Sequence, residues 1–232
     1  MTTEAHSVSI NSPALLRLMQ LSSVSLPVGG YAFSQGLEFA VENGWVKNLA
    51  ETRDWLSLQL AETLTQVDLP ILRGAMEAAQ NNDSVRWQQW NDLALASRES
   101  SELRLTDTAM GEALLRLLKS LSVPLPENII HRSDISFVAL YAWPAVFWQI
   151  PFDAAASGLS WSWLENQIAA ATKLVPLGQT QAQLLLGELQ QDIPRVIAES
   201  YAVAEDEIGS TLPALAIASA QHESQYTRLF RS

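Results

Sequence analysis

The stretch Ile135–Phe152, ISFVALYAWPAVFWQIPF, runs for 18 residues without a charged side chain, and how it is read decides the fold. Eighteen residues is close to the shortest length at which a helix crosses a bilayer. Against a span stand Pro144, Gln149 and Pro151 within the stretch, with Asp134 and Asp153 at its two ends. Arg132 flanks it alone, where spanning helices carry clusters of Lys and Arg. The stretch therefore predicts a helix buried on all sides in the core of a helical protein.

The rest of the chain is punctuated as short helices in series. Ser12-Pro13 reads as a cap and first helical position, with Leu15, Leu18 and Met19 following at helical spacing. After the break LPVGG (26–30), a helix is expected from about Ser34 to Asn43-Gly44. Asn48 and Glu51 form a capping-box pattern ahead of Trp55, Leu56 and Leu60. Asp68 and Pro70 predict a fresh helix start, closed by Asn81-Asn82-Asp83. Ser100–Ser120 carries Leu103, Met110, Leu114 and Leu117 in helical rhythm. Further helices are expected over Trp161–Val175, Thr180–Gln191 and Pro194 to about Glu205. No sustained alternation of period two and no hairpin turn signal appears. The fold class is all-α, a compact single domain (1–232) of about eight to ten helices, with residues 1–12 a flexible N-terminus.

Composition narrows the function. Against 14 Lys plus Arg stand 25 Asp plus Glu, a net charge of −11, so a phosphate backbone would be repelled and nucleic acid is not expected as a partner. The absence of cysteine excludes disulfides, thiolate nucleophiles and Cys-ligated metal, and suits a reducing compartment. The opening MTTEAHSVSINS has neither a basic n-region nor an apolar h-region, so no secretory signal is expected. The three histidines, His6, His131 and His222, are scattered and predict no preformed metal cage.

Four places could carry function. The turn VGGYAFSQG (28–36) fits neither GxGxxG nor GxxxxGK[ST], so it predicts a tight reversal with Gly29 or Gly30 at positive φ. Tyr31, Phe33, Ser34, Gln35 and Glu38 crowd behind it and suit a contact surface as well as a core. Glu38 and Glu42, four apart, share a helix face, which fits an acid–base pair or a solvated acidic face; with Lys173 they define the alternative of a helical enzyme. In WSWLENQIAAATKLVPLGQTQAQLL (161–185), Leu164, Ile168, Ala171 and Val175 mark a buried stripe, and Asn166, Ala170 and Lys173 step along another. Lys173 suits the negative end of the helix dipole or a display to a partner. The closing HESQYTRLFRS (222–232) sets Tyr226, Leu229 and Phe230 at helical spacing beside Arg228 and Arg231, residue types that anchor interfaces. It reads either as a partner-binding tail or as a segment docked on its own core.

Four blocks in order, LPVGGYAFSQGLEFAVENGWV, SRESSELRLTDTAMGEALLRLL, WSWLENQIAAATKLVPLGQTQAQLL and HESQYTRLFRS, resemble the urease accessory protein family UreF. The resemblance covers about Leu15 to Ser232. It implies an all-helical, dimeric, cytoplasmic protein that is not an enzyme. It implies joining a second accessory protein, UreD (UreH in some bacteria), and the GTPase UreG on apo-urease, modulating the GTPase and supporting nickel insertion. Nickel and GTP would be handled by the partners, with no cofactor or metal held by this chain, and no membrane partner. By resemblance His222, Glu223, Tyr226, Arg228, Leu229, Phe230 and Arg231 contact UreD, in a tail that orders on binding. Lys173, with Asn166 and Gln179 in the same block, is a candidate contact for UreG. Gly29, Gly30, Tyr31, Ser34, Gln35 and Glu38 form a further candidate partner surface. On this reading, removing 222–232 should abolish UreD binding and leave the core folded.

Overall fold

The protein's computed structural model describes residues 10–209 and 212–231, and no strand occurs among them. Its helices are α1 (Ser12–Leu21), α2 (Leu37–Glu42), α3 (Leu49–Gln59), α4 (Leu69–Gln80), α5 (Ser84–Ala96) and α6 (Ser101–Ser120). They continue as α7 (Glu127–Ile130), α8 (Phe137–Phe147), α9 (Phe152–Leu174), α10 (Gln179–Leu189), α11 (Ile193–Ser200) and α12 (Pro213–His222). α3 passes into α4 through a π-helical stretch, Leu60–Asp68, and α10 into α11 through a 3₁₀ turn, leaving ten separate rods. The all-α expectation of eight to ten helices holds.

The uncharged stretch becomes α8, and from Phe137 to Ala145 every side chain on it is buried. It lies among α4, α5 and α6. Among the described residues no helix is long and apolar enough to cross a membrane. Close approach is built in by glycine. A Cβ on Gly111 of α6 would meet the Ile135 carbonyl oxygen at 2.0 Å, and one on Gly74 of α4 would meet the Trp90 ring of α5 at 2.2 Å. Trp87 of α5 donates its indole N–H to the Ala139 carbonyl at 2.8 Å, so a large aromatic is buried without an orphaned donor.

The N-terminus of α8 is held by a carboxylate. Buried Asp107 accepts from the Phe137 backbone N–H at 2.7 Å and from the Ser136 hydroxyl at 2.9 Å, where the helix dipole favours negative charge. Arg98 donates to Asp107 at 3.0 Å and stands 2.8 Å from Asp68 on the far side. Burial pushes the Asp68 carboxyl above the ordinary aspartate range; Arg98 opposes the shift and Asp107 adds to it.

Helix boundaries depart from the sequence expectation in several places. The cap of α1 is Asn11, which accepts from the Ala14 N–H, and Ser12 is the first helical residue. The chain does not restart at Asp68. Proline lacks a donor and crowds the carbonyl one turn back, and the wider π turn ahead of Pro70 accommodates it without a break. α2 begins at Leu37 rather than Ser34, because Gly36 (φ 82°) precedes it in the left-handed region. α9 begins at Phe152, nine residues ahead of Trp161, behind Pro151. The rod expected from Pro194 to Glu205 ends at Ser200. α12 was not anticipated, although Leu215, Ala218, Ser219 and His222 form a buried stripe at helical spacing.

Candidate functional site

α12 ends on His222, whose ring is fully buried. Its Nδ1 lies 2.8 Å from Glu102 Oε2 on α6, and its Nε2 3.0 Å from Glu38 Oε2 on α2. The chain then leaves the helix and runs back over α2. Glu38 accepts the Leu229 N–H at 2.6 Å and the Phe230 N–H at 2.9 Å, one on each carboxylate oxygen. Arg228 donates to Glu102 at 3.0 Å, and the Arg231 N–H donates to the Ala32 carbonyl at 2.8 Å. Phe230 drops into a pocket of Leu37, Ala40, Val46, Ala170, Ala171 and Val175. The Lys173 ammonium sits 5.2 Å from the centre of its ring, within cation–π range. Arg231 stands 5.9 Å from the Phe33 ring.

The four sequence-distant blocks thus converge. Glu38, Lys173, His222, Arg228, Leu229 and Phe230 form one contact network. The expected helical strip of Tyr226, Leu229 and Phe230 does not exist, because residues 223–231 carry no helix. An irregular backbone points Phe230 inward while Tyr226 is fully exposed and Leu229 is 64% exposed. The tail is therefore docked on its own core through the Arg228 side chain, the Phe230 ring and the backbone N–H groups of Leu229, Phe230 and Arg231, and open to its surroundings through the side chains of Tyr226 and Leu229. Removing 222–232 would strip a buried histidine from between two buried carboxylates, so the expectation of an undisturbed core does not stand.

The turn behaves as expected at Gly29, which takes φ 77°, while Gly30 stays out of that region. Tyr31 is exposed. Ser34 is buried, its hydroxyl accepting from the Glu38 N–H at 3.4 Å and fixing the first turn of α2. Gln35 takes φ 50° and accepts from the Trp163 indole at 3.0 Å. Gly30 packs so closely on Asn166 that a Cβ would lie 3.0 Å from its amide nitrogen. Gly30, Gln35 and Asn166 line a cavity of about 100 Å³ together with Asp68, Arg98 and Asp107. Gln179 and Glu223 are exposed and belong to neither group.

Glu102, which joins the His222 cluster, and Arg98 and Asp107, which line the cavity, are not singled out by the sequence reading. Their signal lies in α6, where Glu102, Thr106, Asp107, Gly111 and Leu114 are buried at helical spacing, a core stripe carrying two carboxylates. The Glu38/Glu42 pair is not assembled: Glu38 is buried and committed to the tail, whereas Glu42 is exposed. Among the described residues no group of three or more His, Asp or Glu is placed to hold a metal ion. In the His222 cluster the two carboxylates sit on opposite ring nitrogens rather than around a common point. His131 pairs with Glu127 on the surface, and His6 lies outside the described residues.

The most elaborated site of the helical bundle thus grips the chain's own C-terminal segment through the buried Glu38, Glu102 and His222. The UreF family profile matches residues 46–190. The urease accessory protein UreF of Marinomonas sp. (strain MWYL1) is 60% identical over 218 residues, covering 94% of each chain. Those of Psychrobacter cryohalolentis and Pseudomonas putida (strain W619) are 43% and 44% identical, covering 97% of both chains and 94% and 98% respectively. The chain belongs to the UreF family of urease accessory proteins, non-catalytic maturation factors, and is not an enzyme.

Proposed function

We propose that this chain is the adaptor of a urease-maturation assembly, joining UreD (or UreH) and the GTPase UreG on apo-urease in the cytoplasm, as a homodimer. Nickel and GTP stay with the partners, and the chain supplies docking faces and tunes GTP hydrolysis during nickel insertion. The observation that carries the reading is the two-sided tail. Glu38 and Glu102 hold it from beneath, and it offers Tyr226 and Leu229 outward beside Arg231. Exposed aromatic and apolar groups rimmed by arginine suit an interface with a second protein. Lys173 stands at the edge of the same face and suits either an acidic patch on the GTPase or its phosphoryl-transfer charge.

The test is a Tyr226→Ser, Leu229→Ser double variant, co-expressed with UreD. Both side chains point away from the core, so the melting temperature should hold while UreD capture falls at least about tenfold, the scale of two interface anchors. Full capture by the double variant would refute the tail as a partner surface.

A further inference from the structure

We propose that docking of the segment from His222 onward takes up one proton, so that presentation of the partner face is set by pH. The inference deepens the proposed function, on whose partner-binding tail it rests.

Both ring nitrogens of His222 face carboxylate oxygens, at 2.8 and 3.0 Å. A carboxylate only accepts, and a neutral imidazole donates from one nitrogen alone. Two such bonds need two protons on the array. Glu38, Glu102 and His222 together hold one proton more than two carboxylates and a neutral ring, wherever along the bonds it resides. The charged groups facing the array come from each element packed on it: Glu38 from α2, Glu102 from α6, and Arg228 from the tail, with Lys173 of α9 beyond, over the Phe230 ring. With the extra proton, the two carboxylates balance the imidazolium and Arg228. Without it, one negative charge is left uncompensated where Glu38, Glu102 and His222 are each nearly inaccessible to solvent.

The device acts on the tail because Glu38 is shared. The oxygen facing His222 Nε2 also accepts the Phe230 N–H, and its other oxygen accepts the Leu229 N–H. Losing the proton turns one histidine contact into facing lone pairs, and either carboxylate that relaxes from it holds the tail, Glu38 through the two backbone N–H groups and Glu102 through Arg228. Linkage fixes the sign: the docked state binds more protons, so docking weakens as pH rises.

The experiment follows the Leu229 and Phe230 amides by hydrogen-exchange NMR on the isolated full chain, from about pH 5.5 to about pH 9. Protection, corrected for intrinsic exchange, should fall with rising pH by up to about tenfold per unit, the one-proton slope. A Glu102→Gln variant supplies the missing donor from its amide, keeps an oxygen for Arg228, and should hold the tail with a flat profile. Flat protection in the unmodified chain overturns the proposal, and so does a variant that keeps the slope, since the proton then lies elsewhere. No partner is present, so failure here is separate from failure of UreD capture by the Tyr226/Leu229 variant.

Discussion

Replacing Glu38 by alanine should free the C-terminal segment. This carboxylate is 6% exposed and accepts three hydrogen bonds, at 2.6, 2.9 and 3.0 Å. Each bond to a buried charged group is worth about 1.5–3 kcal/mol, but the three share one acceptor and do not add. The loss has a ceiling, because once the tail departs its remaining contacts are gone with it. Re-exposing Phe230 costs about 1.5–3 kcal/mol, and leaving one His222 nitrogen buried without a partner costs about 1–3 kcal/mol. Chain entropy regained by the freed tail offsets part of these two terms and leaves a net loss of about 2–4 kcal/mol, which for a domain this size lowers the melting temperature by roughly 5–15 °C. Calorimetry gives the global term, and exchange at Leu229 and Phe230 gives the local one. Glu42→Ala, one turn away and exposed, is the control and should stay within about 0.5 kcal/mol. If both amides remain protected in the Glu38 variant, the carboxylate is not what holds the tail.

Gly111→Ala gains about 1 kcal/mol of helix propensity, yet its Cβ would stand 2.0 Å from a backbone oxygen, so overpacking of about 1–3 kcal/mol or more should win and lower the thermal midpoint; an unchanged or raised midpoint counts against the packing of α6 on the entry to α8. Lys173→Ala removes a cation–π contact worth about 0.5–1 kcal/mol, so it should cost no more than about 4 °C while altering UreG capture or GTP hydrolysis; a larger thermal loss with unchanged UreG behaviour would make Lys173 structural. Burial raises the Asp68 carboxyl, so the folded state holds its proton longer than the unfolded chain. Asp68 therefore withdraws stability as pH climbs from the ordinary aspartate value near 3.8, and Asp68→Asn should gain on the parent as pH rises in paired melts; a variant that loses ground contradicts the burial argument.

Much of the fold was legible because the signals were local. Asn48 caps the helix it was read to cap, accepting from the Glu51 backbone N–H, and the helix expected over Ser100–Ser120 runs from Ser101 to Ser120 behind Ser100. The stripe Leu164, Ile168, Ala171 and Val175 is buried throughout. What failed depended on geometry that sequence does not carry. Pro70 reads as a stop, yet a π turn absorbs it, and Pro151 lies too far from Trp161 for the charge-poor FDAAASGLS to read as helix. The convergence of Glu38, Glu102 and His222 joins positions more than sixty residues apart in sequence at the nearest, and no spacing rule reaches across such distances.

The same limit explains why the tail reads as partner-facing throughout. A sequence shows that Arg228, Phe230 and His222 want an acidic, apolar counterpart, and it cannot say whether that counterpart is another protein or the chain itself. Here the chain supplies much of it: Glu102 takes Arg228, Glu38 takes the backbone, and the α2–α9 pocket takes Phe230. Subtracting those leaves Tyr226, Leu229 and the Arg231 side chain, a smaller and less basic face than composition suggests. An interface that small gains from being held in place beforehand, since a segment already ordered loses less entropy on association. If the tail is the partner face proposed above, Glu38 and Glu102 act on affinity through its order: variants there should weaken capture by loosening the tail, while variants at Tyr226 and Leu229 should weaken it with the tail still docked.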